Sequence, residues 1–411
     1  MKTRAIIFAV PIVLLTLALV GGSSLLLRLF FLTLLVLLVS YLWAIIGIRH
    51  ISAQAEKPPE HCQVGEQFQQ EFTVFNNSKI PKFLLKIEEN TDMGGEHSPQ
   101  LLNLLPGSSH CWQSTVNCRH RGRYSVGSVL ATATDPFGLF SRQHRLGKPH
   151  SIIVYPATTD LPLLKLASFT DFGYGSGQRS ISQISPNASS VREFVAGDSL
   201  HYVHWHTTAH TGKLMVKVFD ADRSQGSSKT VWVILDMQEA SHFGEGEETT
   251  EEYGITIAAS VVRKYLESGM WAGLIASGDE TYLFPPERGE EHLWRMLEAL
   301  ALIKATGKVS VSQLVSEQME WFRYDSMVVI ISPSPTGQLV DVIRKLRNRV
   351  SSVVVVLLDA ASFGGDTDAT EMVHSLSAMG VQVYVVRRGD ELARVLSDRF
   401  PLLPVCYIED I

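Results

Sequence analysis

The 411-residue sequence contains 45% hydrophobic and 19% charged side chains and has a mean hydropathy of +0.10. It is too apolar for a disordered chain and too charged for a polytopic transporter. The net charge is −6, and the residues after position 50 alone hold 32 basic against 42 acidic side chains, a net charge of −10. This acidic balance argues against nucleic acid as a partner.

The first element is an apolar stretch over residues 5–48, in which Arg28 is the only charged residue. A Gly-Gly-Ser-Ser sequence at 21–24 divides it into Ala5–Val20 and Leu25–Ile48. The second part is long enough to cross a bilayer core of about 30 Å, and the first is shorter than a usual span. We predict a transmembrane hairpin in residues 1–50, with residues 5–48 in contact with membrane lipid.

Charges at the two ends of the hairpin predict its orientation. Lys2 and Arg4 precede the first span and Arg49 follows the second, so the positive-inside rule places both ends in the cytoplasm. A charged start before a short apolar segment also fits a cleaved signal peptide, and this alternative stays open. In either case we expect an inner-membrane protein with most of its chain in the cytoplasm.

Cysteine use agrees with a reducing compartment. The chain has only four cysteines, at positions 62, 111, 118 and 406, and the spacing of the middle pair is not that of a zinc knuckle. We predict free thiols.

Residues 51–160 predict a β-rich, immunoglobulin-like module. The segments Phe68–Phe75, Phe83–Glu89, Trp112–Cys118 and Gly127–Thr134 are short and alternating, with turn residues between them. Strands of this length and spacing are typical of a small β-sandwich.

Two motifs stand out within this module, Arg121-Gly122-Arg123-Tyr124 and the turn sequence Asp135-Pro136-Phe137-Gly138-Leu139-Phe140. We expect Asp135 to cap the second turn while Phe137 and Phe140 pack beneath it. A binding role for this corner is the less favoured alternative.

Residues 161–228 contain a Ser/Gly-rich loop and then a dense mixed segment. We expect Arg192 to pair with Asp198, Trp205 to anchor the segment on the next domain, and Leu214–Phe219 to form a strand. The histidines of the 201–210 cluster suggest a metal site, but zinc requires three or four ligands with supporting groups that the pattern does not supply.

These motifs together resemble the bacterial DUF58 family of membrane proteins. The resemblance rests on the apolar hairpin, the two β-module motifs, Val154-Tyr155-Pro156, and the segment from Arg192-Glu193 through Gly197-Asp198 and Trp205 to Leu214-Met215-Val216-Lys217. It implies a C-terminal von Willebrand A-like domain and a MoxR-type AAA+ ATPase as partner. The family-motif or interaction positions that it marks are Arg121, Tyr124, Asp135, Phe137, Arg192, Glu193, Gly197, Asp198, Trp205, His206, Ala209 and Lys217. The family commonly has basic residues where this chain has His201, His206 and His210, which puts anion contacts there in doubt.

Residues 229–411 predict an α/β doubly wound domain of Rossmann type. Apolar strands at Thr230–Leu235, Met327–Ser332, Val353–Leu358 and Val381–Val386 alternate with amphipathic helices such as Thr250–Glu267. Buried apolar strands with intervening helices are typical of a mostly parallel sheet.

Asp236 follows the first of these strands, where such sheets bind ligands. In von Willebrand A domains this position opens an Asp-x-Ser-x-Ser motif for Mg²⁺, and the two serine positions here are Gln238 and Ala240. A degenerate site is expected, so no metal or cofactor is predicted, and Mg²⁺ is retained only as an alternative.

No motif in the sequence joins a nucleophile to a base or forms a phosphate loop. We therefore expect a non-enzymatic, membrane-anchored scaffold that works with the AAA+ ATPase in the assembly or maturation of protein complexes. The alternatives are a Mg²⁺-dependent ligand-binding or adhesion module at Asp236, and a hydrolase or transferase that uses the 201–210 histidines with Asp198.

Overall fold

The computed structural model describes residues 2–93, 98–161, 188–193, 203–219, 230–334, 336–366 and 369–396. The chain divides into two compact units. The first contains residues 1–157 with 300–302, and the second contains residues 158–299 with 303–411.

Two apolar helices open the first unit. Helix α1 is Lys2–Gly21 and α2 is Ser24–Ile48, joined at Gly22, whose φ of +58° is readily adopted by glycine. Helix α2 is long and apolar enough to cross a membrane, and the apolar part of α1, Ala9–Gly21, is shorter. The apolar helical region predicted from the sequence is therefore at the correct place.

In the described residues of the first unit, ten strands follow the helices. They are β1 (Ile51–Ala55), β2 (Cys62–Gln63), β3 (Gln67–Asn76), β4 (Lys82–Asn90), β5 (Gln100–Leu104), β6 (Ser109–Asn117), β7 (Gly122–Val126), β8 (Ser128–Thr134), β9 (Ser141–Leu146) and β10 (His150–Tyr155). The sheet β1-β3-β6 and the sheet β5-β4-β8-β9 share one hydrophobic core, which includes Phe72 and Val74 from one sheet and Leu85 and Val129 from the other. A smaller sheet, β2-β10-β7, surrounds a second core that contains the buried thiols of Cys62 and Cys118.

A short antiparallel pair and a helix begin the second unit. Strand β11 (Ala188–Glu193) pairs with β12 (Met215–Phe219), and helix α3 (Trp205–Thr211) lies between them in sequence. Gly212 ends α3 in the left-handed conformation, at φ +68°.

The remainder of the second unit alternates strands and helices. Its strands are β13 (Thr230–Leu235), β14 (Gly244–Glu245), β15 (Glu248–Thr249), β16 (Trp271–Ser277), β17 (Thr281–Glu287), β18 (Ser326–Ser332), β19 (Ser352–Leu358) and β20 (Gln382–Val386). Its helices are α4 (Thr250–Glu267), α5 (Glu290–Leu302), α6 (Val311–Glu317), α7 (Gly337–Arg347), α8 (Thr370–Ala378) and α9 (Leu392–Val395).

The main sheet of this unit has the order β17-β16-β13-β18-β19-β20, parallel except for β17 at one edge. Helices cover both faces. Trp232 and Ile234 of β13 pack with α6, α7 and α8, whereas a Cβ at Gly254 of α4 would contact Leu235 and Leu358 from the other face. Each parallel strand is therefore buried on both sides, as its continuous apolar sequence predicts.

The antiparallel edge strand β17 contains Pro285 and Pro286. Proline has no backbone N–H, so it occurs in sheets mainly on edge strands. The two prolines fit the outer position of β17.

Candidate functional site

The first candidate site is the contact between α2 and the β-module. The Ser40 hydroxyl, in the middle of an apolar helix, donates a hydrogen bond to Asp135 Oδ2 at 2.7 Å, and both residues are buried. Asp135 also accepts from the backbone N–H of Phe137 (3.1 Å) and of Phe140 (2.7 Å), and so caps the β8–β9 turn as predicted. Burial disfavours its charge, but the hydrogen bonds outweigh burial and lower the pKa of Asp135.

Two further contacts fix the end of α2. The Lys82 ammonium is buried and donates to the carbonyl of Ile46 at 2.5 Å, at the end of the helix where backbone carbonyls lack partners and favour a positive charge. Burial lowers the pKa of this ammonium group. A Cβ at Gly47 would lie 2.9 Å from the Cβ of Ala133, so only glycine permits this approach. We call Ser40, Gly47, Lys82 and Asp135 the helix clamp.

Aromatic side chains surround the helix clamp. Tyr41 packs edge-on against Phe140 with ring centroids 5.5 Å apart, and Trp43 stacks on Phe83 at 6.5 Å. The guanidinium of Arg142 donates to the Tyr41 hydroxyl at 3.4 Å. The prediction that Phe137 packs beneath the turn is wrong, because its side chain is 66% exposed.

The Arg121–Tyr124 motif forms a local corner at the start of β7. Gly122 has a φ of +140° and lies beside the ring of Tyr124, whose hydroxyl donates to the carbonyl of Arg121 at 3.4 Å. Burial raises the pKa of Tyr124. The motif thus stabilises the backbone of its own corner.

The second candidate site is the carboxyl edge of the main sheet, where Asp236 follows β13. Asp236 is 2% exposed and accepts from the hydroxyl of Ser332 at 2.6 Å and from the N–H of Gln238 at 3.1 Å. Burial raises the pKa of Asp236, and these hydrogen bonds only partly oppose the shift.

The oxygen atoms around Asp236 do not by themselves complete the ligand shell of a Mg²⁺ ion. Each carboxylate oxygen already accepts a hydrogen bond from the protein, and position 240 holds an alanine. Mg²⁺ requires near-octahedral oxygen ligation. Within the part of the chain that the structure describes, no group of three or more His, Cys, Asp or Glu side chains is arranged to hold a metal ion.

The third candidate site is α3 with its histidines. His204 precedes the helix, and its Nδ1 accepts from the N–H of Thr207 at 3.2 Å, in the role that an Asp or Ser oxygen usually has. His206 and His210 are exposed, with ring centroids 5.4 Å apart. His204 therefore has a structural role at the helix start.

Trp205 is 67% exposed on α3, so the prediction that it anchors the segment in a core is wrong. Its neighbour Ala209 is exposed on the same helix. Arg192 and Glu193 lie on β11, where Arg192 is paired in register with Val216 of β12. Lys217 lies on β12. Gly197, Asp198 and His201 are outside the described residues, and so is the predicted Arg192–Asp198 pair.

Comparison with protein families gives a match that covers the last two candidate sites. Residues 190–363 match the family described as "Protein of unknown function DUF58". The DUF58 match begins in β11, includes α3 and Asp236, and ends at Phe363 after β19. The helix clamp lies upstream of it.

One relative of this chain is the uncharacterized protein YeaD of Bacillus subtilis, 25% identical over 279 residues. That alignment covers 67% of this chain and 66% of YeaD, slightly less than two thirds of its length. Among solved structures, the CARDB domain of a Pyrococcus furiosus protein is 14% identical with a TM-score of 0.18, covering 24% of this chain and 92% of that domain. The C-terminal domain of wzt is 11% identical with a TM-score of 0.21, and the match covers 26% of this chain and 75% of that domain.

Proposed function

We propose that the protein is a non-enzymatic scaffold, anchored in the inner membrane by its N-terminal hairpin, with most of the chain in the cytoplasm. It presents its β-module and α/β unit to a MoxR-type AAA+ ATPase during the assembly or maturation of protein complexes. The observation that carries the proposal is the helix clamp. Through Ser40 to Asp135 and Lys82 to Ile46, it fixes a long apolar helix to a folded module at buried polar contacts.

The resemblance to DUF58 proteins supplies the partner, and the match over residues 190–363 supports that resemblance. The order of the main sheet, with two strands on one side of β13 and three on the other, supports a Rossmann-type, von Willebrand A-like domain. The engaged oxygens of Asp236 favour protein binding over metal-dependent binding at this domain.

We place the contact for the ATPase at α3. Trp205 is a large aromatic side chain at 67% exposure, beside His206 and within the matched segment. Exposed aromatic residues are enriched where proteins bind partners.

Affinity purification of the full-length chain from detergent extract, with and without a non-hydrolysable ATP analogue, tests the proposal. We expect mass spectrometry to identify a MoxR-type AAA+ ATPase, and Trp205→Ala to reduce its recovery at least tenfold. Tyr324→Ala is the matched control, since Tyr324 is an 80% exposed aromatic residue elsewhere on the same unit. Recovery of no AAA+ ATPase in either nucleotide state would contradict the proposed partner.

The second candidate function is Mg²⁺-dependent ligand binding at Asp236, favoured by its place at the carboxyl edge of the sheet beside Ser332. Calorimetric titration of the full chain with Mg²⁺ or Mn²⁺ separates the two functions. Heat that saturates in the wild type and is absent in Asp236→Asn would support the metal-dependent function.

A further inference from the structure

The turn between β8 and β9 is apolar and projects outward. Residues 136–141 are Pro-Phe-Gly-Leu-Phe-Ser and carry no charge. Phe137 is 66% exposed near the tip, and Leu139 and Phe140 are half-buried. Contiguous exposed apolar surface marks sites that bind a protein, a ligand or a membrane.

A second exposed apolar pair adjoins α2. The pairing of β4 with β5 is interrupted between Lys82 and Leu85. Within this interruption Leu84 has a φ of +53°, and its backbone N–H donates a hydrogen bond to Asn103 Oδ1 at 2.9 Å. Regular alternation would bury one of two consecutive side chains, but this bulge exposes both Phe83 (45%) and Leu84 (52%). The stacking of Phe83 on Trp43 places the pair beside the helix.

The helix clamp fixes the position of the β8–β9 turn, and of Phe83 and Leu84, along the axis of α2. Ser40, which contacts Asp135 at the base of the turn, precedes the helix end at Ile48 by eight residues. At about 1.5 Å per residue this is about 12 Å, and the whole helix is about 37 Å long against a bilayer core of about 30 Å.

The depth of Ser40 follows from that difference in length. If all of the excess, about 7 Å, extends beyond the membrane at Ile48, Ser40 lies about 5 Å inside the hydrocarbon boundary of an untilted helix. If none of the excess length extends beyond the membrane at Ile48, Ser40 lies about 12 Å inside the hydrocarbon boundary. The base of the β8–β9 turn is thus level with lipid at either limit.

We propose that residues 136–141, together with Phe83 and Leu84, form an apolar wedge that enters the bilayer beside α2 and takes acyl chains as its ligand. The proposal rests on the proposed function, because it requires α2 to span the membrane. At the shallower limit Tyr41 and Trp43 lie within about 4 Å of the hydrocarbon boundary, close to the interface where such residues are enriched. The guanidinium of Arg142 lies beside the Tyr41 hydroxyl, and a long arginine side chain at this level can reach the phosphate layer.

Spin labels on the full chain in phosphatidylcholine and phosphatidylglycerol nanodiscs test the wedge. The background carries Cys111→Ser and Cys406→Ser, while the two buried cysteines remain. Phe137→Cys reports the wedge, and Leu35→Cys reports the middle of α2. Thr115→Cys is the control, because Thr115 is exposed and far from the helix. Strand β6 begins near the helix at Ser109, and Thr115 lies six residues further along it. Accessibility to oxygen and to a water-soluble nickel complex is compared at each label.

At the Phe137 label we expect the ratio of oxygen to nickel accessibility to approach that of the Leu35 label and to exceed the Thr115 ratio severalfold. A Phe137 label as accessible to nickel as the Thr115 label would overturn the wedge, provided that the Leu35 label reads as lipid. A Leu35 label in water would overturn the membrane anchor itself. A Phe137 label shielded from both reagents would show that protein covers the turn, and would also overturn the wedge.

Discussion

Asp236 is a buried carboxyl group at the edge where such sheets bind ligands, and its contacts are with groups of the protein itself. Its two oxygens join the hydroxyl of Ser332 to the backbone N–H of Gln238. These contacts connect the loop after β13 to the end of β18, its neighbour in the sheet. Asp236 therefore stabilises the carboxyl edge of the sheet.

Asp236→Asn tests this structural role through its pH dependence. The unfolded carboxyl group ionises near its ordinary pKa of about 3.9, whereas the folded one keeps its proton to higher pH, since burial raises its pKa. The folded state binds more protons in that interval, so the free energy of unfolding decreases as the pH rises through it.

The asparagine amide can donate to Ser332 and still accept from Gln238. We expect Asp236→Asn to remove the decrease in the free energy of unfolding with rising pH. At neutral pH the variant should be at least as stable as the wild type. Urea unfolding at several pH values measures this, and Asp279→Asn, an exposed aspartate, is the control. Marked destabilisation by Asp236→Asn at neutral pH would show that the charge itself is required.

Trp205→Ala is expected to change the stability of the chain by less than about 0.5 kcal/mol, because the side chain is largely exposed and surface substitutions have small effects. Thermal unfolding of this variant beside Tyr324→Ala measures the change. A loss above about 1 kcal/mol would show that Trp205 packs in the folded protein.

For single residues, the sequence predicted where a side chain lies in the fold better than whether that side chain is buried or exposed. The place of Asp236 after an apolar strand was predictable from chain order. The exposure of Trp205 was not, since a tryptophan between histidines fits a core anchor as well as a surface contact. The histidine at the start of α3 was also missed, because His204 acts through a ring nitrogen where the usual signal is an oxygen.

At the scale of elements, the helix clamp makes α2 and the β8–β9 hairpin one stable unit. Polar atoms removed from water require partners, and Asp135 obtains three hydrogen bonds from two elements. Ser40, Ala44 and Gly47 follow one helical face, and their small size permits the close approach of the module.

Asp135→Asn is expected to lower the free energy of unfolding by about 1–3 kcal/mol at neutral pH, because it weakens charge-assisted hydrogen bonds. The folded pKa of Asp135 is below its ordinary value, so its stabilisation is present above that value and is lost as the pH falls through the folded pKa. The wild type and the variant should therefore converge on acidification.

Thermal unfolding of the full chain in detergent, at neutral and acidic pH, measures the convergence. Asp92→Asn, at an exposed aspartate of the same unit, is the matched control. An equal difference between wild type and Asp135→Asn at both pH values would contradict this account.

The spacing of apolar residues predicted the long strands and helices. An element that is buried on one or both faces has apolar residues at regular intervals in its sequence. This spacing missed β9, whose sequence Ser-Arg-Gln-His-Arg-Leu has a single buried residue, and α6, which is only seven residues long. The Ser40–Asp135 contact joins residues 95 positions apart. A serine in an apolar helix that also contains Thr33 and Tyr41 does not by itself point to a partner so far along the chain.

At the scale of the whole molecule, the two compact units have separate cores. We expect calorimetry of the full chain in detergent to show two unfolding transitions. Asp135→Asn should shift one of them and Asp236→Asn the other, since each residue belongs to a different unit. A single transition shifted by both variants would show that the units unfold together.

The prolines of β17 have a consequence for a protein confined to a surface. The proposed membrane anchoring would raise the local concentration of identical chains and align them, which favours pairing between exposed strand edges. Pro285 and Pro286 offer no N–H to an approaching strand, and on the β-module Arg142 and Arg145 bring positive charge to the edge strand β9. The edges at β17 and β9 therefore resist pairing with a neighbouring copy of the chain.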